Sequence, residues 1–310
     1  MSDVIAEVKT IEVNEELYRR FFEIVGEGKR MSQARAAREL RVSAGLISAY
    51  KSRSYNGNVE VFENKIRTFI EREGQRRAEV SIPIVETTTT ENISRAVEMA
   101  HICKDIAVIT GEAGTGKTTA VKQYVAESRA AFGVYVCRDL TQYQLVIEIA
   151  RAVGVSAKGS KFAIIDRIVG ELKGRDTVLI IDQANYLTDT SLELLRCIIV
   201  DMAEVGLVLV GLPSLKIQLE NLRNDHEQLL SLVGTFLKVN RMRAEDAANI
   251  IQSVWQSASE EVITALTKSA NGSVRTLVKL IGHVHRIMAV NRLEAPTYEA
   301  VSDARELVKG

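Results

Sequence analysis

Residues 111–118, Gly-Glu-Ala-Gly-Thr-Gly-Lys-Thr, fill every fixed place of the pattern G-x-x-x-x-G-K-[ST]. Ahead of them, Ile106-Ala107-Val108-Ile109-Thr110 is a short apolar run of the kind that forms a buried strand. Behind them, Thr119 to Val125 has the patterning of an opening helix. Strand, glycine loop and helix in that order are the setting in which this pattern cradles phosphate. Gly111, Gly114 and Gly116 let the backbone curl so that several N–H groups converge on one anion, and the helix N-terminus adds a favourable field. Lys117 is spaced to reach the outer phosphate oxygens and Thr118 to hold Mg²⁺, with Thr115 and Thr119 completing the loop. The motif predicts a site for a nucleoside triphosphate, ATP with Mg²⁺.

The surrounding chain repeats the alternation. Strands are expected at 106–110, 133–137, 177–182, 206–211 and 235–239, with helices near 117–128, 143–153, 161–173 and 190–204. Strand and helix in strict succession imply a parallel sheet covered on both faces, an α/β core spanning 94–240. Only helical patterning follows, over 241–310: Ala247 to Trp255, Glu260 to Ala270, Val274 to Val290 and Tyr298 to Val308, a helical lid.

The third strand, Val178-Leu179-Ile180-Ile181-Asp182, ends in a carboxylate about 65 residues after the loop, placed to hold the Mg²⁺ shell. Next comes Gln183, where related ATPases carry a glutamate that polarises the attacking water. An amide can orient water but cannot take its proton, so a general-base contribution of roughly 10²–10⁴-fold is expected to be missing. Tight ATP binding with slow turnover follows from the pair Asp182 and Gln183.

Residues 1–79 read as a separate all-α domain. Ser32 caps an expected helix from Gln33 to Leu40, Arg41-Val42-Ser43 makes a turn, and Ser43 caps a second helix with Leu46 and Ile47 inward, a helix-turn-helix pattern. Between Gly28 and Arg53 stand Lys29, Arg30, Arg35, Arg38, Arg41, Lys51 and Arg53 against Glu39 alone. That local excess suits DNA phosphates, and Arg35, Arg38, Ser43, Ser48, Lys51 and Arg53 are the expected contacts. Ala44, Gly45, Ser48 and Tyr50 are expected toward the major groove; such small polar residues imply little sequence preference. A helical protein-binding module with a solvated basic face remains the other interpretation. Residues 80–93, with four consecutive threonines, are expected to form an extended linker.

Whole-chain numbers restrict the partners. Forty basic and forty acidic residues cancel, so any nucleic acid must be met by a local patch. Three scattered cysteines and no C-x-x-C argue against a disulfide framework or zinc site, and no apolar run is long enough to span a bilayer. A cytoplasmic location is expected.

The order helix-turn-helix, linker, ATPase core and helical lid resembles the phage Mu B transposition protein family, DNA-dependent AAA+ ATPases. The resemblance rests on Leu46-Ile47-Ser48, Tyr55-Asn56-Gly57, Gly111 to Thr118, Leu179 to Asp182, Gly206 to Gly211 and Gly272-Ser273-Val274-Arg275. It implies ATP-dependent, sequence-nonspecific binding to double-stranded DNA, assembly into a homo-oligomeric filament or ring, and recruitment of a transposase. It also implies that Arg275 reaches the γ-phosphate from the lid, and that Lys158 and Lys161 touch backbone phosphates. Three positions depart from the family pattern. Gln183 replaces a glutamate, Leu212 stands where a polar sensor is expected (with Ser214 nearby), and Ser231-Leu232 aligns with a Ser-Arg pair that supplies an arginine finger. Two alternatives stay open: a helicase-loader or initiator ATPase, and an ATP-gated helix-turn-helix transcriptional regulator.

Overall fold

The computed structural model describes residues 13–77, 82–221 and 227–309, and the chain divides between Val80 and Ser81 into two compact units. In the first, helices α1 (Glu15–Ile24), α2 (Gln33–Leu40), α3 (Ala44–Lys51) and α4 (Val59–Arg77) enclose an aromatic core. Phe21, Tyr50 and Phe62 are buried there, with Tyr50 packed edge-on to Phe62 at 5.0 Å between ring centroids. Ser32 and Ser43 accept from the backbone N–H of Arg35 and Leu46, so each short helix starts on a side-chain cap.

The second unit holds α5 (Thr88–Cys103), β1 (Ile106–Gly111), α6 (Lys117–Glu127), β2 (Ala131–Tyr135), α7 (Gln142–Val153), α8 (Lys161–Leu172) and β3 (Val178–Asp182). There follow α9 (Asp189–Leu195), β4 (Gly206–Gly211), α10 (Pro213–Asn221), α11 (Glu227–Ser231) and β5 (Val233–Val239). Four helices complete it: α12 (Ala244–Val254), α13 (Glu260–Ala270), α14 (Val274–Asn291) and α15 (Tyr298–Lys309). The strands form one sheet in the order β2-β3-β4-β1-β5, every pair parallel.

Why the central strands are uniformly apolar is plain from their two faces. Ile106 and Val108 of β1 pack with α7 and α8 residues such as Ile149 and Ile168, whereas Ala107 and Ile109 pack with Ile93 and Val97 of α5. A strand covered on both sides cannot alternate with polar residues. Edge strand β5 does alternate, and Phe236 lies half exposed on it. Helix α5 crosses the sheet so closely that a Cβ at Gly206 would sit 2.3 Å from the Ala100 carbonyl oxygen. Among the described residues, no helix is long and apolar enough to cross a membrane.

The threonine run departs from the expected linker. Thr88, Thr89 and Thr90 form the first turn of α5, because Thr87 and Thr90 make a reciprocal capping box. The buried Asp246 carboxylate also accepts from the backbone N–H and the hydroxyl of Thr88, at 3.0 and 3.3 Å. These partners override the weak helix propensity of threonine. The helix expected at 190–204 likewise changes winding. After Leu195 the turns widen into a π-helix over Arg196–Met202, which brings the i,i+5 pair Arg196 and Asp201 together.

Candidate functional site

A parallel sheet gathers the carboxyl ends of its strands along one edge, and ligand sites form there. Here β1 runs into the glycine loop, β3 ends on Asp182 and β4 ends on Gly211 beside it. Register pairs Thr110 with Gly211 and Asp182 with Val210. With the start of α14 above them, these ends enclose a cavity of about 490 Å³.

Within the loop, Lys117 is buried, and its ammonium donates to the carbonyl oxygens of Gly111 and Glu112 at 2.8 and 2.7 Å and to Thr115 Oγ1 at 3.2 Å. Burial pulls its pKa below the ordinary lysine value, the nearby Asp182 carboxylate opposes this, and Arg275 adds to the lowering. An anion in the cavity would restore the preference for the charged form. Thr115 is buried and its hydroxyl donates to the Glu112 carbonyl, so it braces the loop. Gly111, Gly114, Gly116, Thr118 and Thr119 lie in the same loop and helix start, and all but Gly111 line the cavity. Gly111 packs against Val239, where a Cβ would meet the Val239 carbonyl oxygen at 2.7 Å.

Asp182 is buried. Its Oδ1 accepts from the backbone N–H of Gln183 at 2.9 Å, while Oδ2 has no hydrogen-bond partner. A buried carboxylate oxygen left unpaired is costly unless a ligand or water meets it. Thr118 lines the same cavity, so the protein offers a hydroxyl and a carboxylate as two hard oxygen donors. That set fits a small divalent cation completed by phosphate oxygens and water. Among the described residues no three His, Cys, Asp or Glu converge, so such a cation would depend on the nucleotide for its other ligands.

Gln183 adopts a left-handed backbone (φ 60°) and borders the same cavity. Leu212, at the position expected to be polar, offers only its backbone N–H, which donates to Asn185 Oδ1 at 3.1 Å. The polar group at the end of β4 therefore comes from the turn after β3. Leu232 is partly buried against the core and its carbonyl accepts from Ile106. Sequence reasoning missed Asn185, Tyr186, Val278 and Lys279, all of which line the cavity. Only Lys279 left a signal, since it stands four residues after Arg275 on one helix.

The lid meets the loop through backbone. Arg275 N–H donates to the Gly114 carbonyl oxygen at 3.2 Å, and Val274 lies against Gly116, where an added Cβ would contact it at 3.6 Å. Arg275 lines the cavity. Arg241, beyond β5, pairs with Glu112 at 3.1 Å, and the Met242 N–H donates to the Gly272 carbonyl at 2.9 Å, fixing the turn before α14.

The expected DNA contacts fall in both units. In the first unit Arg35 and Lys51 are exposed, with Arg35 paired to Glu39 at 3.4 Å, and Arg38 Nε donates to the Ala34 carbonyl oxygen at 3.4 Å. Arg53 pairs with Glu15 at 2.6 Å and lies 5.4 Å from the Tyr18 ring centre. Ser48 Oγ donates to Gln33 Oε1 at 3.3 Å, and Ser43 Oγ is occupied as a helix cap. Tyr50, expected toward the groove, is instead fully buried and donates to Glu63 at 2.9 Å. Helix α3 turns Ile47 and Tyr50 to the aromatic core and leaves Ala44, Gly45 and Ser48 exposed. Burial raises the Tyr50 phenol well above its ordinary value, and the hydrogen bond to Glu63 adds to that. In the second unit Lys158 is exposed, its carbonyl accepting from Arg167, while Lys161 donates to Gln142 Oε1 at 3.0 Å.

Residues 103–219 match the family model for an AAA domain. Over 252 residues the chain is 29% identical to the Mu-like prophage FluMu DNA transposition protein B of Haemophilus influenzae, covering 78% of this chain and 88% of that protein. It is 26% identical to the ATP-dependent target DNA activator B of Escherichia phage Mu, over 78% of this chain and 79% of the relative. Among solved structures, the Aeropyrum pernix ORC2 protein in its ADP form aligns with a TM-score of 0.57 at 17% identity, covering 74% of this chain and 72% of that one, a likeness of fold. The chain thus carries an AAA domain with a loop-bound lid and is similar across most of its length to these phage DNA transposition proteins B.

Proposed function

We propose that this protein binds ATP with Mg²⁺ in the cavity between the glycine loop and α14. In that state it assembles side by side on duplex DNA without sequence preference and presents the DNA to a transposase. The observation that carries this reading is the convergence of Lys117, the unpaired Asp182 oxygen and Arg275 on one cavity. The relatives, a DNA transposition protein B and an ATP-dependent target DNA activator B, supply the biological direction.

In this reading Lys117 and the loop N–H groups hold the β- and γ-phosphates, while Thr118 and Asp182 hold Mg²⁺. Arg275 senses the γ-phosphate, so nucleotide and loop together set the lid. Gln183 positions water without deprotonating it, and Leu232 supplies no finger. Both keep hydrolysis slow and the ATP-bound assembly long-lived. Arg35, Arg38, Ser48, Lys51 and Arg53 of a helix-turn-helix, with Lys158 and Lys161 of the ATPase unit, meet DNA phosphates. Ser43 contributes through the helix it caps.

Electron microscopy of the protein on long duplex DNA with ATP, ADP or no nucleotide tests this. Regular assemblies confined to ATP are expected, together with retention of a transposase. Isolated monomers at saturating ATP and magnesium, or DNA coverage indifferent to nucleotide, would refute the reading.

A further inference from the structure

Two cations of α14 face the nucleotide cavity. Arg275 and Lys279 are four residues apart, which on an α-helix places them on one face, about 6 Å apart along the axis. Val274 and Val278 line the cavity from the same helix, so this face is the wall that the lid presents. The start of α14 is anchored on the loop by the Arg275 N–H bond to Gly114. Lys279 therefore stands one turn beyond the anchor, and Gln183 and Asn185 border the same space.

Lys279 is exposed and, among the described residues, has no carboxylate partner. The formal charges lining the cavity are Lys117, Arg275 and Lys279 against Asp182 alone. This surplus of two positive charges is opposite to that of a magnesium-bound triphosphate. A diphosphate seated in the loop already has Lys117 and the loop N–H groups. A third phosphate, which Lys117 also reaches, adds Arg275 and, one turn on, Lys279.

We propose that Lys279 is a specificity-determining residue: its ammonium binds the terminal phosphate and makes the site prefer triphosphate over diphosphate. It does so from within the same chain, at a site whose aligned finger position carries Leu232. The inference rests on the nucleotide reading above and adds to it a discriminating group.

The test is equilibrium binding to the full chain of a non-hydrolysable ATP analogue and of ADP, each with magnesium, for wild type, Lys279→Gln and Lys279→Arg. A charge-assisted contact of ordinary strength predicts that Lys279→Gln weakens the triphosphate analogue about tenfold or more. ADP affinity should stay within about twofold and Lys279→Arg should recover most of the loss. Equal loss for both nucleotides, or no loss for either, overturns the assignment while wild-type binding keeps the nucleotide site intact. Wild type that binds neither nucleotide overturns the nucleotide reading itself.

Discussion

The backbone N–H of Arg275 donates to the carbonyl oxygen of Gly114 at 3.2 Å, so the first turn of the lid helix rests directly on the phosphate-binding loop. Because the bond is main chain to main chain, it holds whatever side chain occupies position 275. It therefore ties the start of α14, with Arg275 on its first turn, to the loop.

Gly114 has φ +84°, and an added Cβ would lie 2.8 Å from Ser273 Oγ and 3.3 Å from Arg275 Cβ. Gly114→Ala is therefore expected to strain the loop by about 1–3 kcal/mol and push the lid off it. Nucleotide affinity should fall about tenfold or more, measured by titration with a fluorescent ATP analogue. Unchanged affinity would mean that the lid contact does not contribute to the site.

Gln183 borders the cavity next to Asp182. Gln183→Glu supplies the missing base, and steady-state ATP turnover is expected to rise by about 10²-fold. A variant no faster than wild type would move the limit to Leu232.

Asp246, buried, joins α12 to the start of α5 through the N–H and hydroxyl of Thr88. Asp246→Ala leaves that N–H without its acceptor and should cost about 1–3 kcal/mol in urea unfolding. The capping box of Thr87 and Thr90 remains, so α5 should persist in the variant by circular dichroism.

Burial raises the Asp105 carboxyl above its ordinary value, against a smaller lowering from its own backbone N–H, and one of its oxygens is buried without a partner. With the folded pKa above the unfolded one, the protein loses stability as pH climbs through that raised value. Asp105→Asn should therefore be more stable than wild type at neutral pH. The advantage should fade as the pH drops toward and below about 4, where both carboxyls are protonated. Thermal melts across pH 3.5–8 would check the crossover, and a gain independent of pH would discount the carboxylate as its source.

Each phosphate contact contributes about 0.9 to the slope of log affinity against log salt on duplex DNA. Arg38→Ala combined with Lys51→Ala should flatten that slope by about 1.8 in the ATP state, seen by fluorescence anisotropy at several salt concentrations. A parallel shift with the slope kept would remove these two side chains from the contact set.

The glycine loop and the strand ends around it were legible because their information is local. Gly111 to Thr118 sets its own turn, and β1 and β3 are apolar runs whose ends carry the loop and Asp182. The caps Ser32 and Ser43 were legible for the same reason, each needing only the backbone three residues on. Tyr50 was not: an aromatic near the end of a short helix is pulled inward by Tyr18, Phe22 and Phe62, which lie on other helices.

What the sequence determined by itself is the parallel α/β core and the phosphate loop, since strand periodicity, glycine freedom and side-chain caps act over a few residues. Tertiary structure added what the threonine run lacked: beside the local capping box, the Thr88 N–H and hydroxyl find their acceptor on Asp246, 158 residues away. It also decided that Asn185 accepts from the Leu212 N–H at the end of β4 and that Lys279 lines the cavity. Which side chains share a cavity depends on the strand order β3-β4-β1 and on α14 folding back onto Gly114, contacts made across distances that no local pattern records.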